Sequence, residues 1–173
     1  AVWLGRSAAQ EHHPDHRFRY AGALAGRLWI EPLSGALQAS GRVYRDNWDV
    51  RSVTAELAYE QSIDGALRLR LRGRYYRQGA AAFFSDDYAL RPRWQYFTVD
   101  RELSDMESYL AGAQIIWTLT PGTEGAALGP FQSFRLVLAG AFVHHEFPNF
   151  RYGRASVPNN NSINATLGLE VVF

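Results

Sequence analysis

The chain of 173 residues contains no cysteine, no lysine and no long hydrophobic run. The absence of cysteine suits a protein that crosses an oxidising compartment with nothing to mispair, although many cytosolic chains lack it too. No stretch approaches the ~18 apolar residues of a transmembrane helix. Residues 1–6 also lack the basic segment and apolar core of a signal peptide. The signal of an exported protein would therefore have been removed or would lie upstream.

The charges are nearly balanced, and every basic residue is an arginine. The formal net charge is +1, from 18 arginines and 17 acidic residues, which argues against the one-signed patch that binds nucleic acid. We therefore expect no nucleic-acid partner. The all-arginine composition is typical of a GC-rich genome. It also suits a crowded polar interior, in which guanidinium groups keep their charge and pair with carboxylates.

The last eleven residues carry the clearest pattern. Apolar side chains occupy every second position, which places them on one face of a β-strand: Ile163, Ala165, Leu167, Leu169, Val171 and Phe173. A tilted strand needs ~9–11 residues to cross the hydrocarbon layer. A terminal strand of this kind resembles the C-terminal signature of bacterial outer-membrane β-barrels, which implies a membrane insertion signal formed by Leu167, Leu169, Val171 and Phe173. The alternative is a strand of a soluble sandwich.

An internal segment carries a row of arginines behind a row of leucines. The arginines alternate with Leu67, Leu69 and Leu71, and two glutamates face them from the preceding segment. A soluble core does not accept such a row, whereas the polar interior of a membrane β-barrel does. We predict that six charged residues line a lumen: Arg68, Arg70, Arg72, Arg74, Glu56 and Glu60. The alternative is a structural ladder of salt bridges.

The loop of this hairpin sets the predicted register. A three-residue loop, Ile63-Asp64-Gly65, favours glycine at its left-handed last position. The register that follows pairs apolar residues with apolar residues and charged residues with charged residues. The pairs are Leu57 with Leu71, Tyr59 with Leu69, Glu60 with Arg68 and Glu56 with Arg72. Each cross-strand ion pair is worth ~0.2–1 kcal/mol, so these pairs would set the register more than they hold the fold.

Segments of period two recur along the chain and predict an all-β fold of about eight strands. They cover residues 17–30, 36–46, 53–60, 67–74, 94–103, 108–119, 134–144 and 163–173. We predict an antiparallel, up-and-down transmembrane β-barrel over residues 17–173, preceded by an N-terminal loop or linker over residues 1–16.

The predicted strand count creates a difficulty of orientation. With eight strands and a periplasmic C-terminus, the long connections 78–93 and 120–132 would both lie in the periplasm, where turns are usually short. Either one strand is miscounted, with residues 80–84 a candidate extra strand, or the periplasmic side is elaborated to meet a protein partner.

Four stretches resemble landmarks of one family of Gram-negative outer-membrane proteins. They are His13-Pro14-Asp15-His16-Arg17, Tyr44-Arg45-Asp46-Asn47-Trp48, Arg74-Tyr75-Tyr76-Arg77-Gln78-Gly79-Ala80-Ala81-Ala82-Phe83-Phe84 and Asp100-Arg101-Glu102-Leu103-Ser104. The family is catalogued only as a domain of unknown function. The similarity covers most of the chain and corresponds to the C-terminal half or so of a longer family protein. The resemblance implies that this chain forms part of a barrel of about 12–16 strands. It does not suggest an activity. Gly79 and Phe84 depart from the pattern, which has Ser or Asp and Tyr there.

Two groups of histidines are candidate sites. The first comprises His12, His13, Asp15 and His16. Histidine and aspartate are common metal ligands. Neighbouring side chains of an extended segment point to opposite faces, however, so we favour a solvated loop over a metal site. The second comprises His144, His145, Glu146 and Ser156, which suggest a lipid-deacylating site although no motif of such enzymes is present. We therefore predict no catalytic residue, no metal site and no cofactor.

The leading functional expectation is a passive pore or transport component of the bacterial outer membrane. Eight strands would enclose a lumen filled by side chains, whereas twelve or more would enclose a water-filled passage. The alternatives are a structural sheath that holds a periplasmic or lumenal protein and, less favoured, a lipid-modifying enzyme. The expected partners are outer-membrane lipid, lipopolysaccharide, the barrel-assembly machinery during insertion and a periplasmic protein.

Overall fold

The computed structural model describes residues 11–86, 95–119, 133–152, 155–156 and 159–172, and most of these form one antiparallel sheet. Its seven strands are β1 (Arg19–Ile30), β2 (Gly35–Asp46), β3 (Arg51–Ser62), β4 (Leu67–Gln78), β5 (Met106–Leu119), β6 (Ser133–Glu146) and β9 (Asn160–Val172). Each strand pairs with the next in that order. Two short strands, β7 (Arg151–Tyr152) and β8 (Ala155–Ser156), form a separate hairpin. The prediction of an antiparallel all-β fold is confirmed. None of the helical turns in the described ranges is long or apolar enough to cross a membrane.

The sheet of the described residues is not closed into a barrel. Closure would require hydrogen bonds between β1 and β9, and these two strands lie at opposite edges of the sheet. Each edge therefore presents a row of unpaired backbone N–H and C=O groups. A closed barrel within these residues is not formed, and a wider barrel stays a prediction. The division of the chain at residues 16 and 17 is likewise a prediction that the sheet does not test.

The predicted strand over residues 94–103 is wrong for its described part, 95–103. The chain makes isolated bridges there, and Arg101–Leu103 form a short 3-10 helix. Asp100 ends the extended run, because its side chain accepts a hydrogen bond of 2.9 Å from the backbone N–H of Glu102. The candidate extra strand over residues 80–84 does not join the sheet either. The described sheet thus has one strand fewer than predicted.

The register between β3 and β4 also differs from the prediction. The observed pairs are Leu57 with Gly73, Tyr59 with Leu71, Glu56 with Arg74 and Glu60 with Arg70. Each β3 residue is therefore paired two positions further along β4 than predicted. Because two positions are one full period of a strand, every side chain keeps its predicted face.

Asp64 explains this shift. Its Oδ1 accepts hydrogen bonds from the backbone N–H groups of Ala66, at 2.9 Å, and Leu67, at 2.6 Å. Ile63 N–H donates to the carbonyl of Leu67 at 2.9 Å. The turn is thus organised by the aspartate side chain, as Asx turns are, and it begins one residue later than predicted. Gly65 does not take a left-handed φ, so that part of the prediction is wrong.

A disulfide experiment separates the two registers in this cysteine-free chain. The double variant Gln61→Cys, Leu69→Cys places both thiols on directly paired residues, whereas Gln61→Cys, Leu67→Cys matches the predicted register. We expect the first variant to oxidise readily and the second poorly, because a disulfide needs Cα atoms about 4.4–6.8 Å apart. Intact mass after alkylation of free thiols measures the yield. Crosslinking of the second variant alone would contradict the observed register.

The two faces of the sheet differ sharply in chemistry. The outer face is defined by exposed apolar side chains from all seven strands: Leu24, Leu28, Val43, Leu57, Leu71, Ile115, Trp117, Leu138, Phe142, Ile163 and Leu167. The inner face is defined by polar and charged side chains: Arg27, Gln38, Glu56, Glu60, Arg68, Arg70, Arg72, Arg74, Gln114, Asn164 and Thr166. Soluble monomers rarely expose contiguous apolar patches of more than a few hundred Å². The outer face therefore exposes more large apolar side chains than the surface of a soluble monomer usually does.

The buried core lies at one end of the sheet. It centres on Val50, Ala81, Phe83 and Leu103, with four half-buried aromatic residues packed against them. We call this assembly the end cap, and it is formed by residues 11–18, 47–50, 79–86, 95–105 and 147–150. These segments meet because β1 begins, and β2, β4 and β6 end, at the same end of the sheet.

Candidate functional site

The six charged residues predicted to line a lumen all lie on the inner face. Arg68 Nη1 is 3.6 Å from Oε1 of Glu60, and Arg27 Nη2 is 3.9 Å from the same oxygen. The predicted contact between Glu60 and Arg68 thus forms, although as a diagonal pair. The predicted contact between Glu56 and Arg72 does not form, because Arg74 is the residue directly opposite Glu56.

Three of the four arginines in the row are not ion-paired. Within the described ranges, no carboxylate contacts Arg70, Arg72 or Arg74. The predicted ladder of salt bridges is thus reduced to the single pair of Arg68 with Glu60. The middle of the inner face has five arginines (Arg27 and the row of four) against two glutamates, an excess of three positive charges. This excess is a local feature, since the net charge of the whole chain is +1.

A groove lies beside the arginine row on the inner face, between β4 and β9. Its volume is about 270 Å³. Arg70 and Arg72 border it on β4, and its floor is made of Gly112, Ala139 and Ala141. Three uncharged polar side chains complete the lining: Gln114, Asn164 and Thr166. The small floor residues leave open the space between Arg70 and Arg72 on β4 and the polar residues of β9.

Asp46 organises the end cap. Its side chain is fully buried, and Oδ2 accepts hydrogen bonds from Arg17 Nε at 2.7 Å and from the Tyr44 hydroxyl at 2.8 Å. Oδ1 accepts from the backbone N–H groups of Trp48 and Val50, both at 3.0 Å. The Arg17 guanidinium also lies over the Trp48 ring, 4.2 Å from its centre. One carboxylate therefore joins the N-terminal segment, β2 and the β2–β3 turn.

The described parts of the connection between β4 and β5, residues 79–86 and 95–105, lie at the end of the inner face. Gln78 Nε2 donates to the carbonyl oxygens of Glu102, at 2.8 Å, and Ser104, at 3.1 Å. The Glu11 carboxylate accepts from the Thr98 hydroxyl at 3.2 Å and from Val99 N–H at 3.1 Å. Because Gln78, Tyr44 and Asp46 are inner-face residues, the end cap covers one end of the inner face.

The N-terminal histidines pack into the end cap. The His12 ring stacks on Tyr96 with centroids 5.6 Å apart. The His13 ring lies 5.8 Å from both Trp48 and Phe83. The described ranges contain no group of three or more His, Cys, Asp or Glu side chains that could hold a metal ion. These histidines therefore serve as packing partners of the cap.

The second histidine group is divided by the sheet. His144 lies on the outer face, where Nε2 is 3.0 Å from Glu146 Oε1, and His145 lies on the inner face. Consecutive strand residues point to opposite faces, so the two imidazoles cannot act on one substrate. Ser156 lies in the small hairpin, away from the main sheet. The lipid-deacylating site therefore stays a prediction, with His144 and Glu146 as its histidine and carboxylate that lie together.

The predicted insertion signal lies mainly on the outer face. Leu167, Leu169 and Val171 pair with Leu138, Leu136 and Phe134 of β6 on that face. Phe173 lies outside the described residues. The role of these side chains in insertion stays a prediction.

Sequence reasoning missed the end cap as a site, although its signal was present. All four landmark stretches (residues 13–17, 44–48, 74–84 and 100–104) contribute to it. Arg17, Asp46 and Trp48 meet directly, and Gln78 joins the third stretch to the fourth. The landmarks therefore define a contact network between connections at one end of the sheet, whereas Arg70 and Arg72 lie outside the landmark stretches.

The fold and these surfaces define the class of the protein: an antiparallel all-β protein with a two-faced sheet and a capped end. A family model described as "Protein of unknown function (DUF3570)" matches residues 3–129, which is more than half of the 173-residue chain. The chain belongs to this family, and the prediction of a family without a known function is confirmed. No curated protein and no solved structure matches the chain.

Proposed function

We propose that the chain supplies part of an outer-membrane β-barrel that acts as a passive pore or transport component. The observation that carries this proposal is the division of the sheet into an apolar outer face and a charged inner face. Membrane β-barrels have the same division, with lipid outside and a polar lumen inside. Bacterial outer-membrane lipid and lipopolysaccharide would cover the outer face, and the barrel-assembly machinery would insert it.

The height of the apolar band supports a membrane location. On β5 the outer-face residues from Tyr109 to Leu119 are uncharged. Ten residue steps of about 3.4 Å, tilted by about 40°, span roughly 26 Å, which is close to the ~25 Å band of membrane barrels. On the strands that the structure describes, charged outer-face residues appear only beyond the level of Tyr109, where Arg77 Nε lies 3.5 Å from Glu107 Oε1.

The observed strand count supports a consistent orientation. If β9 ends on the periplasmic side, the turns over residues 31–34 and 63–66 are periplasmic and short, as such turns usually are. The end cap then lies on the external side. The eight-strand prediction would have placed the connection over residues 78–93 in the periplasm. With one strand fewer, β4 instead ends and β5 begins on the external side, which weakens the argument for a periplasmic partner.

The unpaired edges support a wider barrel. In hydrocarbon each unsatisfied backbone group costs several kcal/mol, so a spanning sheet must close. Strands from elsewhere would therefore join β1 to β9. A barrel of 12–16 strands would leave the inner face in contact with water instead of packed side chains.

Single-channel recording in planar lipid bilayers tests the pore. The full-length family protein, extracted from membranes without boiling, is expected to produce stepwise conductance. Heat-denatured protein from the same preparation is the control. A folded preparation, identified by its faster migration in unboiled gels, that produces no steps would rule out the pore.

A structural sheath is the second candidate, and one observation favours it. The unpaired arginines of the row would suit an acidic surface of a lumenal protein. Purification in mild detergent should then recover that protein together with the barrel, and the recovery should decline at high salt because exposed charges are screened. For the lipid-modifying enzyme, the described residues supply a His144–Glu146 pair, but no hydrogen bond among them joins Ser156 to it.

A further inference from the structure

We infer that the inner-face groove beside Arg70 and Arg72 binds oxyanions, that is, solutes bearing a carboxylate or phosphate group. The inference rests on the proposed function for the route by which solutes arrive, and it names the class of solute. The guanidinium group is planar and donates two parallel hydrogen bonds to such groups. Two of these groups border one groove without a carboxylate of the described chain occupying them.

The charges around the groove favour an anion. Its lining contains two arginines and no acidic residue. The nearest glutamates, Glu56 and Glu60, lie on β3, on the other side of the arginine row. Glu60 is already engaged by Arg68 and Arg27. Arg70 and Arg72 are therefore free to pair with a charge that the described chain does not supply.

The remaining lining suits the uncharged part of a small polar solute. Asn164 and Thr166 of β9 offer an amide and a hydroxyl group across the groove from the arginines, and Gln114 lies directly beside Arg70 on β5. Because Gly112, Ala139 and Ala141 form the floor, no long side chain fills the space between the two polar sides. The groove has a volume of about 270 Å³, which is enough space for a small organic acid or a phosphate ester.

Isothermal titration calorimetry in detergent, with tripolyphosphate as the titrated anion, tests the inference. The test variant is Arg70→Gln, Arg72→Gln in the full-length protein. The matched control is the double variant Arg19→Gln, Arg42→Gln. It also removes two positive charges from the inner face, but at β1 and β2, away from the groove. Gel mobility without boiling confirms that each variant is folded.

We expect the test variant to lose about ten- to hundredfold in affinity, since hydrogen bonds between charged groups are the strong ones. The control should lose less than about threefold, as expected for screened charges at a distance. Equal losses in both variants would mean general attraction to a basic surface and would overturn the site. Absence of binding by the unaltered protein would overturn it as well.

Conductance recorded on the same preparations separates this inference from the pore. Tripolyphosphate should block the current of the unaltered protein and block the test variant at correspondingly higher concentration. If tripolyphosphate binds but the protein produces no conductance, the pore proposal is overturned and the proposal of an oxyanion site stands. If the protein conducts and tripolyphosphate blocks the test and control variants equally, the pore proposal stands and the oxyanion site is overturned.

Discussion

Arginine in place of Leu138 is expected to destabilise the assembled protein by about 2–4 kcal/mol and to lower its yield in the membrane. Leu138 is 53% exposed on the outer face and lies between Ile115 and Leu167 of the neighbouring strands. In the proposed arrangement these three side chains face hydrocarbon near the middle of the band. A guanidinium group at that depth loses its hydration and finds no carboxylate. Urea unfolding in lipid vesicles measures the loss.

Ala139→Arg is the matched control for this prediction. Ala139 is the next residue of β6 and lies on the inner face, between Gln114 and Thr166. The same side chain would there extend into the polar groove, so we expect a change within about 1 kcal/mol, because lumen positions tolerate charge. If Leu138→Arg were neutral, or both variants equally damaged, the outer face would not be in contact with lipid.

The substitution Asp46→Asn is expected to loosen the end cap by about 3 kcal/mol, because it leaves the partners of a buried charge unpaired. The asparagine has nearly the same shape, but one carboxylate oxygen becomes an NH₂ group that only donates. Arg17 and the Tyr44 hydroxyl both donate to Oδ2 of the aspartate. They would then face a donor, or the amide would turn and present it to the N–H groups of Trp48 and Val50.

Hydrogen exchange of the Trp48 and Val50 amides measures this loosening, and we expect much faster exchange in the variant. Asp49→Asn is the control, since Asp49 is exposed and pairs with Arg51 at 3.1 Å on the surface. Asparagine tolerates its left-handed φ of 67°, and an exposed ion pair contributes only about 0–1 kcal/mol. Unchanged exchange in Asp46→Asn would show that another contact holds the cap together.

The alternation of apolar and polar residues determined the sheet and its two faces. Seven of the eight predicted strands are present, and the six charged residues share the inner face as predicted. Period two is a property of the extended backbone itself, so it can be read without knowledge of any partner strand. The shifted register of β3 and β4 left the faces unchanged for the same reason.

Local polar contacts decided where strands begin and end. The Asp64 side chain moved the β3–β4 turn by one residue. Asp100 ended an extended run that had the composition of a strand. Such contacts depend on the rotamer of a single side chain and on the backbone groups within its reach. Alternation therefore does not reveal them.

The sequence by itself determined an antiparallel all-β protein with one apolar and one charged face, because both follow from the period of the strand. Tertiary structure alone decided the end cap and the groove. Residues as distant in sequence as Arg17 and Asp46, or Gln78 and Ser104, meet only because successive strands bring their connections to the same end. Likewise, Arg70 and Arg72 border a groove only because small residues of β5 and β6 lie beside them in the sheet.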